Sequence, residues 1–450
     1  MAPFTLSVPA GEIVLVTGPS GCGKSTLARC LSGLIPHLYN GKFSGTVKVN
    51  GFQTDHHPQW LIAEQVGFVF QNVSAQMLAT SVKNEIIFSL ENLGIPRKEL
   101  ESRCKQAEDQ FGLKPYYNQN PRHLSGGEQQ KVALAASLAR NPPILVLDEP
   151  LSMLDTGSSI GLVDHLVKLS QNGTTIVICE HKSEYLQHLP ACRTIEMAGW
   201  LNDVEPAHLI EDLELHLPFT NNFDLSVTDL NVSVHHRPIL HNINFKACAG
   251  QIVAVVGRNG AGKTTLLRAI SGLQAYSGRI HVGGEPANFS MVFQNPDHQI
   301  FNSTVQQEIL YKISNPDFAL YAQLLQLLGL QTYSVSQPLL LSEGEKKRVA
   351  MATALMQNPK HGILLDEPSL GQDSSHKTRL MQLARAVANT GRIVMMTTHD
   401  LTLASQADRL LVIDKGRIVG DDHPGALIKD TSLWDQIGMP VPDWIVEQFT

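Results

Sequence analysis

Two short phrases in the sequence have the composition of a phosphate-binding loop. "GPSGCGKS" runs from Gly18 to Ser25, "GRNGAGKT" runs from Gly257 to Thr264, and both fit the pattern G-x-x-x-x-G-K-[ST]. Glycines at these positions let backbone N–H groups curl around phosphate oxygens. The lysine would hold the β- and γ-phosphates, and the Ser or Thr hydroxyl would contact Mg²⁺. The residues predicted to bind the ATP phosphates are Gly18, Pro19, Ser20, Gly21, Cys22, Gly23, Lys24, Ser25 and Thr26, and Gly257, Arg258, Asn259, Gly260, Ala261, Gly262, Lys263, Thr264 and Thr265.

Two apolar runs further along the chain end in adjacent carboxylates. "ILVLDE" ends in Asp148 and Glu149, and "GILLDE" ends in Asp366 and Glu367. After a phosphate loop, the first acid of such a pair can hold Mg²⁺ through water, and the second can polarise an attacking water. The alternative is that these acids simply favour the start of a helix. We expect the catalytic role for both glutamates and the metal role for both aspartates.

The elements that must position these residues are strands and helices in alternation. β-branched runs at residues 13–16 and 252–256 lead directly into the two phosphate loops, and a helical pattern follows each loop. Later buried runs, such as "TTIVICE" and "RIVMMTT", alternate with further helical stretches. The pattern predicts an α/β fold built on a largely parallel sheet with helices packed on its faces.

The two halves of the chain repeat the same phrases in the same order. "LSGGEQQKVALAASL" begins at Leu124 and "LSEGEKKRVAMATAL" at Leu341; we refer to these as the signature phrases. A shared spacing of 33 residues separates Asp148 from His181 and Asp366 from His399. A chain of 450 residues accommodates two cores of about 200 residues each. We predict domains at residues 1–218 and 219–450.

Composition excludes several other classes of protein. No uninterrupted apolar stretch is long enough to cross a bilayer, and the first residues lack the features of a signal peptide. The net charge of −7 and the absence of long Lys or Arg runs argue against a dedicated nucleic-acid binder. The six cysteines form no C-x-x-C pair, so neither disulfides nor a zinc site is indicated. We expect a cytosolic chain without direct membrane insertion.

Together, these motifs resemble a tandem ATP-binding-cassette ATPase over nearly the whole chain. The resemblance implies P-loop NTPase domains that each add an antiparallel β subdomain and a helical signature subdomain to the parallel sheet. It implies that Gln71 and Gln294, in the two "VFQN" phrases, sense Mg²⁺ and the γ-phosphate. It also implies that His181 and His399 contact the γ-phosphate, which makes these four residues candidate catalytic residues.

The resemblance further implies that the cassettes pair head to tail within the chain. Each ATP would then lie between the phosphate loop of one half and the signature phrase of the other. Lys24 would face the second signature phrase, and Lys263 would face the first. The predicted signature residues are Ser125, Gly126, Gly127 and Glu128 in the first half, and Ser342, Glu343, Gly344 and Glu345 in the second. The predicted metal ligands are Ser25, Gln71, Asp148, Thr264, Gln294 and Asp366.

The stretches after the two glutamines resemble the ATPases of energy-coupling-factor importers. "QNVSAQMLATSVKNEIIFSLENLGIP" and "QNPDHQIFNSTVQQEILY" carry this similarity. It implies a membrane scaffold (T-type) subunit and a separate substrate-binding membrane subunit as partners, with uptake of a vitamin or metal ion. The chain would then lie on the cytoplasmic side of the membrane, and segments 72–95 and 295–312 would dock the scaffold. The cargo would be chosen by another polypeptide.

Two alternatives remain open at this point. One is a fused ATPase of a sugar or peptide importer. The other is a translation factor of the same superfamily, although the junction "NDVEPAHLIEDLELHLPFTNNFD" is short and acidic, whereas such factors resemble one another in a long charged helical linker.

The halves also differ in two places. Only 17 residues precede Gly18, so we expect the first half to lack its opening strands, unless the start codon was wrongly chosen. Glu343 stands where the first half has Gly126, so we expect the two ATP sites to be unequal.

Overall fold

In a computed structural model of the chain, the described residues are 5–19, 22–39, 43–71, 73–124, 126–151, 154, 156–180, 186, 192–197, 215–220, 223–234, 236–369 and 374–449. They divide into two units, one within Met1–Val204 and the other within Glu205–Thr450. Each unit has its own parallel sheet and its own apolar cores.

The first unit is built on a five-stranded parallel sheet with the order β4-β5-β6-β1-β7. Its central strands are buried except at Thr17 and Ile144, as expected for β-branched and leucine-rich runs covered on both faces. A two-stranded hairpin, β2 with β3, lies beside it. The strands are β1 (Ile13–Thr17), β2 (Lys48–Val49), β3 (Phe52–Gln53), β4 (Val66–Val69), β5 (Ile144–Asp148), β6 (Thr175–Cys179) and β7 (Cys192–Glu196).

The second unit repeats this order and adds an antiparallel sheet. Its main sheet runs β12-β13-β14-β10-β15-β16, in which only the β15–β16 pairing is antiparallel. A separate antiparallel sheet has the order β11-β8-β9. The strands are β8 (Asp224–Val234), β9 (Arg237–Cys248), β10 (Ile252–Val256), β11 (Ser277–Val282), β12 (Phe289–Val292), β13 (Gly362–Asp366), β14 (Ile393–Thr397), β15 (Arg409–Asp414) and β16 (Arg417–Asp422).

Helices follow the strands in both units. In the first unit they are α1 (Lys24–Leu31), α2 (Leu34–His37), α3 (Gln59–Gln65), α4 (Val73–Gln76), α5 (Val82–Glu91), α6 (Arg97–Phe111), α7 (Gly126–Leu138) and α8 (Thr156–Gln171). In the second they are α9 (Lys263–Ile270), α10 (Val305–Ile309), α11 (Phe318–Leu327), α12 (Glu343–Met356), α13 (Ser374–Asn389), α14 (Leu401–Ala404), α15 (Pro424–Lys429), α16 (Thr431–Ile437) and α17 (Asp443–Val446). None of the described helices is both long and apolar enough to cross a membrane.

These sheets confirm the predicted α/β fold class. The strands that precede the phosphate loops, β1 and β10, occupy the same place in the two sheet orders. The strands that end in the acid pairs, β5 and β13, also correspond. One strand separates β5 from β1 in the first sheet, and one strand separates β13 from β10 in the second. Within each sheet the two strands are parallel, so their carboxyl ends lie at the same edge of that sheet. Folds of this kind bind ligands at that edge.

A buried arginine fixes the start of the second unit. Arg392 donates to the carbonyl oxygens of Pro218 (2.8 Å) and Pro359 (2.9 Å), and to Asn358 Oδ1 (2.7 Å). Leu215 and Leu217 are buried in the core of this unit. Leu215, Leu217 and Pro218 precede the predicted domain start at 219, and the two compact units divide after Val204. The position of the domain boundary stays a prediction.

Replacing Arg392 with Ala should destabilise the second unit by about 2–4 kcal/mol, because buried carbonyl acceptors lose their charged donor. Urea unfolding followed by tryptophan fluorescence measures this loss, since Trp434 is fully buried in the second unit. Arg385 is the matched control. Its side chain is 42% exposed in an ion pair with Asp408, so Arg385→Ala should cost less than about 1 kcal/mol. Equal losses for both variants would contradict the anchoring role.

Candidate functional site

Both phosphate loops end in a glycine with left-handed backbone geometry. Gly23 has φ 103° and Gly262 has φ 104°, and α1 and α9 begin at the next residue. A Cβ atom at Gly262 would lie 2.6 Å from Leu240 Cδ2. An L side chain would therefore be both strained and obstructed here, which explains the glycine of the motif. The free N–H groups of the following helix start are suited to an anion.

The loop lysines are buried and fold back over their own loops. Lys24 Nζ donates to the carbonyl oxygens of Gly18 (2.7 Å) and Pro19 (3.1 Å). Lys263 Nζ does the same with Gly257 (2.7 Å) and Arg258 (3.3 Å). Each ammonium thus lies inside the curl of its loop, where a phosphate oxygen would be a stronger acceptor than a carbonyl.

The hydroxyl after each lysine reaches the aspartate at the end of the acid-bearing strand. Ser25 Oγ donates to Asp148 Oδ1 over 3.0 Å, and Thr264 Oγ1 donates to Asp366 Oδ1 over 2.9 Å. Hydroxyl and carboxylate oxygens are the hard ligands that Mg²⁺ prefers. The residues present therefore fit the predicted magnesium ion in both units.

Burial raises the pKa of both aspartates. In the first unit, burial and the neighbouring Glu149 raise the pKa of Asp148 to about 6, against the opposing hydrogen bond from Ser25. Burial also raises the pKa of Asp366, while hydrogen bonds from Thr397 and Thr264 oppose the shift. A divalent cation at either position would favour the ionised carboxylate.

The two aspartates differ in their second donor. Strand pairing places Asp148 beside Cys179 and Asp366 beside Thr397. Thr397 Oγ1 donates to Asp366 Oδ1 over 2.7 Å. The thiol of Cys179 instead faces the carbonyl oxygen of Lys24 at 3.5 Å. Asp366 therefore receives two hydroxyl hydrogen bonds, and Asp148 receives one from Ser25.

The glutamates that follow have strained backbones. Glu149 has φ 52° and Glu367 has φ 47°, a conformation that costs a non-glycine residue about 1–2 kcal/mol. The backbone N–H of Glu149 donates to the carbonyl oxygen of Cys179 (2.8 Å), and that of Glu367 donates to Thr397. Strain of this kind persists only where the surroundings hold it, and such residues cluster at functional sites.

The glutamate side chains contact other predicted site residues. Gln71 Nε2 donates to Glu149 Oε2 over 2.8 Å. In the second unit, Glu367 Oε2 lies 2.9 Å from His399 Nδ1, and Glu367 Oε1 lies 3.9 Å from Lys263 Nζ. The fold thus brings glutamine and glutamate together in one unit, and histidine, lysine and glutamate together in the other. Gln294 lies two residues beyond β12 and is half-buried.

The second signature phrase opens α12 with a capping box. Ser342 accepts a hydrogen bond from the Glu345 backbone, and the Glu345 carboxylate accepts the Ser342 N–H (2.8 Å) and hydroxyl (2.7 Å). Glu343 and Gly344 lie in the first turn, and Glu343 is half-buried. In the first unit, α7 begins at Gly126, and Gly127 and Glu128 lie in its first turn.

Four predicted residues lie outside the described part of the chain: Ser20, Gly21, Ser125 and His181. The other phosphate-loop residues lie in the loops or the first helical turn: Pro19, Cys22, Thr26, Arg258, Asn259, Gly260, Ala261 and Thr265. Cys22 is buried.

Sequence reasoning missed several buried residues that hold loops or site residues in place. Glu85 and Glu308 are buried, and each accepts backbone N–H groups from the loop before its helix. Both follow the "VFQN" glutamine by 14 residues, so their shared offset was a usable signal. Thr397 and the buried Lys347 gave no such signal, because the corresponding residues in the first half are Cys179 and Gln130.

Comparisons with known proteins concern the family and the fold of the chain. The family model described as "ABC transporter" matches residues 1–152 and 240–370. A "Putative ABC transporter ATP-binding protein" of Treponema denticola is 33% identical, covering 93% of each chain. The "Putative HMP/thiamine import ATP-binding protein YkoD" of Bacillus subtilis is 32% identical, covering 99% of this chain and 93% of that one. The solved structure of "RNase-L Inhibitor" has a similar fold, with a TM-score of 0.64 at 21% identity, covering 96% of this chain and 89% of that one.

We expect Mg²⁺ to strengthen nucleotide binding at the second phosphate loop. Replacing Thr397 with Val should reduce this strengthening by about tenfold, because the predicted metal ligand Asp366 loses a hydrogen-bond donor that orients it. The measurement is the affinity for a fluorescent ATP analogue with and without Mg²⁺. It uses a Lys24→Ala background, so that binding reports on the second loop.

The control is Cys179→Val in a Lys263→Ala background. The thiol of Cys179 faces the carbonyl of Lys24 rather than Asp148, so the Mg²⁺ effect should change by less than about threefold. A Thr397→Val chain with an unchanged Mg²⁺ effect would show that the second hydroxyl has no orienting role.

Proposed function

Because the chain belongs to the ABC transporter family, whose ATP-binding proteins hydrolyse ATP, we propose that it energises an importer of the energy-coupling-factor type. It would bind two ATP molecules and couple their hydrolysis to uptake of a vitamin or metal ion through separate membrane subunits. The observation that carries the ATPase part is the pair of lysine, hydroxyl and carboxylate clusters at the strand ends of both units. The similarity to a relative named for HMP/thiamine import supports the importer class.

Exposed apolar side chains support a docking role for segments 72–95 and 295–312. In the first segment, Leu78 is 66% and Phe88 is 46% exposed. In the second, Phe301 is 62% exposed and its ring packs edge-on against Tyr311, with centroids 4.7 Å apart. Apolar side chains exposed at matching places in a repeat suggest a partner-binding surface. We assign them to the cytoplasmic helices of a T-type scaffold subunit.

Buried acids give these two segments a fixed shape. Glu85 Oε2 accepts the N–H groups of Leu78 (3.0 Å) and Ala79 (2.7 Å). Glu308 Oε2 accepts those of Phe301 (3.0 Å) and Asn302 (2.8 Å). A preformed loop loses less conformational entropy on docking than a disordered one.

For the ATP-bound state, we propose the roles that the family resemblance implies. Glu149 and Glu367 would polarise the attacking water, His181 and His399 would contact the γ-phosphate, and Gln71 and Gln294 would report its presence to the membrane partner. The signature phrase of each cassette would close on the nucleotide of the other. Mg²⁺, held by the hydroxyl, aspartate and glutamine side chains, would neutralise charge on the β- and γ-phosphates.

Hydrolysis would then act as a switch. With ATP bound, Lys24 and Lys263 would exchange their carbonyl partners for phosphate oxygens. Once the γ-phosphate is cleaved, it would no longer connect one phosphate loop with the opposite signature phrase, and the closed state would lose its stabilising contacts. The membrane subunits would respond to this closure and release.

Replacing Leu78 and Phe301 together with Asp should abolish recovery of membrane subunits with the tagged chain, because charge cannot be buried in an apolar interface without a large cost. The measurement is co-purification from detergent-solubilised membranes with identification of the partners. ATPase activity of the isolated variant should stay within about twofold of the parent.

The matched control replaces two other highly exposed apolar residues, which lie outside the docking segments. Trp60 is 65% and Val335 is 81% exposed, and the Trp60→Asp, Val335→Asp chain should retain its membrane partners. A membrane complex whose substrate-binding subunits belong to sugar or peptide importers would replace the vitamin or metal assignment. Recovery of ribosomes instead of membrane proteins would overturn the importer proposal.

The two ATP sites should turn over unequally. Glu149→Gln and Glu367→Gln are expected to depress ATPase activity by amounts that differ by at least about threefold. The reason is that Glu343 places a carboxylate in the first turn of α12. A negative charge there stabilises the helix, but it would repel a triphosphate.

Glu343→Gly should narrow this difference, because it gives both signature phrases the same residue. Steady-state ATPase rates of the single and double variants test the prediction. Equal losses for the two glutamine variants, with or without Glu343→Gly, would remove the case for unequal sites.

A further inference from the structure

A buried lysine connects α12, the helix that carries the second signature phrase, to the backbone of a proposed catalytic glutamate. Lys347 lies in α12, and its Nζ donates to the carbonyl oxygen of Glu367 over 3.1 Å. Only 1% of Lys347 is exposed. A buried ammonium is tolerated only where it is hydrogen-bonded, so removing it from this carbonyl is unfavourable.

The bond from Lys347 completes the fixation of Glu367. The backbone N–H of Glu367 lies 3.2 Å from the carbonyl oxygen and 3.0 Å from the hydroxyl of Thr397. Its carboxylate contacts His399 and Lys263. With the carbonyl held by Lys347, hydrogen bonds fix the backbone on both sides of a residue whose φ of 47° is unfavourable. The direction of the carboxylate follows from that backbone.

The first unit has a different residue at the corresponding place. Gln130 follows Leu124 by six residues, as Lys347 follows Leu341. Gln130 is fully buried, and within the described residues neither of its amide atoms has a hydrogen-bond partner. Glu149 nevertheless has the same left-handed backbone as Glu367. Among the described residues, Gln130 therefore makes no counterpart of the Lys347 bond.

We propose that Lys347 is a positioning residue that aligns Glu367 to polarise the water that attacks ATP, and that it links Glu367 to the start of the second signature phrase. Ser342, the second residue of that phrase, precedes Lys347 by five residues, or about 7.5 Å along the helix axis. A movement of the helix when the phrase contacts a nucleotide would thus reach the Glu367 carbonyl through one side chain. The inference rests on the proposed role of Glu367 as the residue that polarises water.

The test compares Lys347→Met with Gln130→Met in the full chain. The methionine side chain is similar in length to that of lysine but has no hydrogen-bond donor. Replacing a buried charge by an apolar residue often preserves stability. Lys347→Met should lower kcat by at least about threefold. KM for MgATP should change by less than about twofold, since an interaction that acts on the transition state affects kcat rather than binding. Gln130→Met should leave kcat within about twofold.

Two further variants separate positioning from a structural effect. Lys347→Arg keeps a buried donor and should restore at least about half of the lost rate. Adding Lys347→Met to Glu367→Gln should cause no further loss, whereas adding it to Glu149→Gln should lower the remaining rate, because residues that act through one group are not additive. Single-turnover assays with excess protein detect these low rates. Circular dichroism melting establishes that each variant is folded, and Lys347→Gln replaces Lys347→Met if the latter is not.

An unchanged kcat in Lys347→Met, or equal losses in Lys347→Met and Gln130→Met, would overturn the positioning role. A further loss on the Glu367→Gln background would also overturn it. These assays use the isolated chain, so a failure to recover membrane partners would contradict the importer proposal and leave the Lys347 result standing. Absence of ATPase activity from the unsubstituted chain would contradict the roles of both Glu367 and Lys347.

Discussion

The meeting of parallel strand ends at one edge of a sheet is the constraint on which both clusters depend. The phosphate loop leaves one strand and the acid pair leaves another, and the hydroxyl-to-aspartate bond joins them over 3.0 Å in the first unit and 2.9 Å in the second. The sequence separation within these bonded pairs exceeds a hundred residues. A buried parallel sheet, rigid because it is packed on both faces, holds these distant groups within hydrogen-bond distance.

Duplication preserved this arrangement while neighbouring residues diverged. The loop lysines bond to corresponding backbone carbonyls in both units, and the hydroxyl after each lysine donates to the strand-end aspartate. Three other pairs of corresponding positions differ: Cys179 and Thr397, Gln130 and Lys347, and Gly126 and Glu343. Each difference changes charge or hydrogen bonding next to a proposed nucleotide contact. The two units therefore share one arrangement of loop and aspartate and differ in charge and hydrogen bonding at these three positions, which is the physical basis of the proposed inequality between the two ATP sites.

Much of the fold could be predicted because its signals are local. Runs such as residues 13–16 and 252–256 are apolar, β-branched and bounded by glycine, and the structure has β1 and β10 there. The left-handed backbones of Glu149 and Glu367 could not be predicted, because intrinsic preference disfavours them and only surrounding hydrogen bonds hold them. Arg392, which joins residues far apart in the chain, gave no local signal either.

The sequence by itself determined the repeat, the two phosphate loops, the acid pairs and the α/β class, because each depends on residue types at short, fixed spacing. Tertiary structure decided which partners those residues meet: Thr397 on Asp366, Gln71 on Glu149, and Lys347 on the carbonyl of Glu367. These contacts join separate strands and helices. Their formation depends on strand order and helix packing, which bring together residues that no spacing along the chain relates.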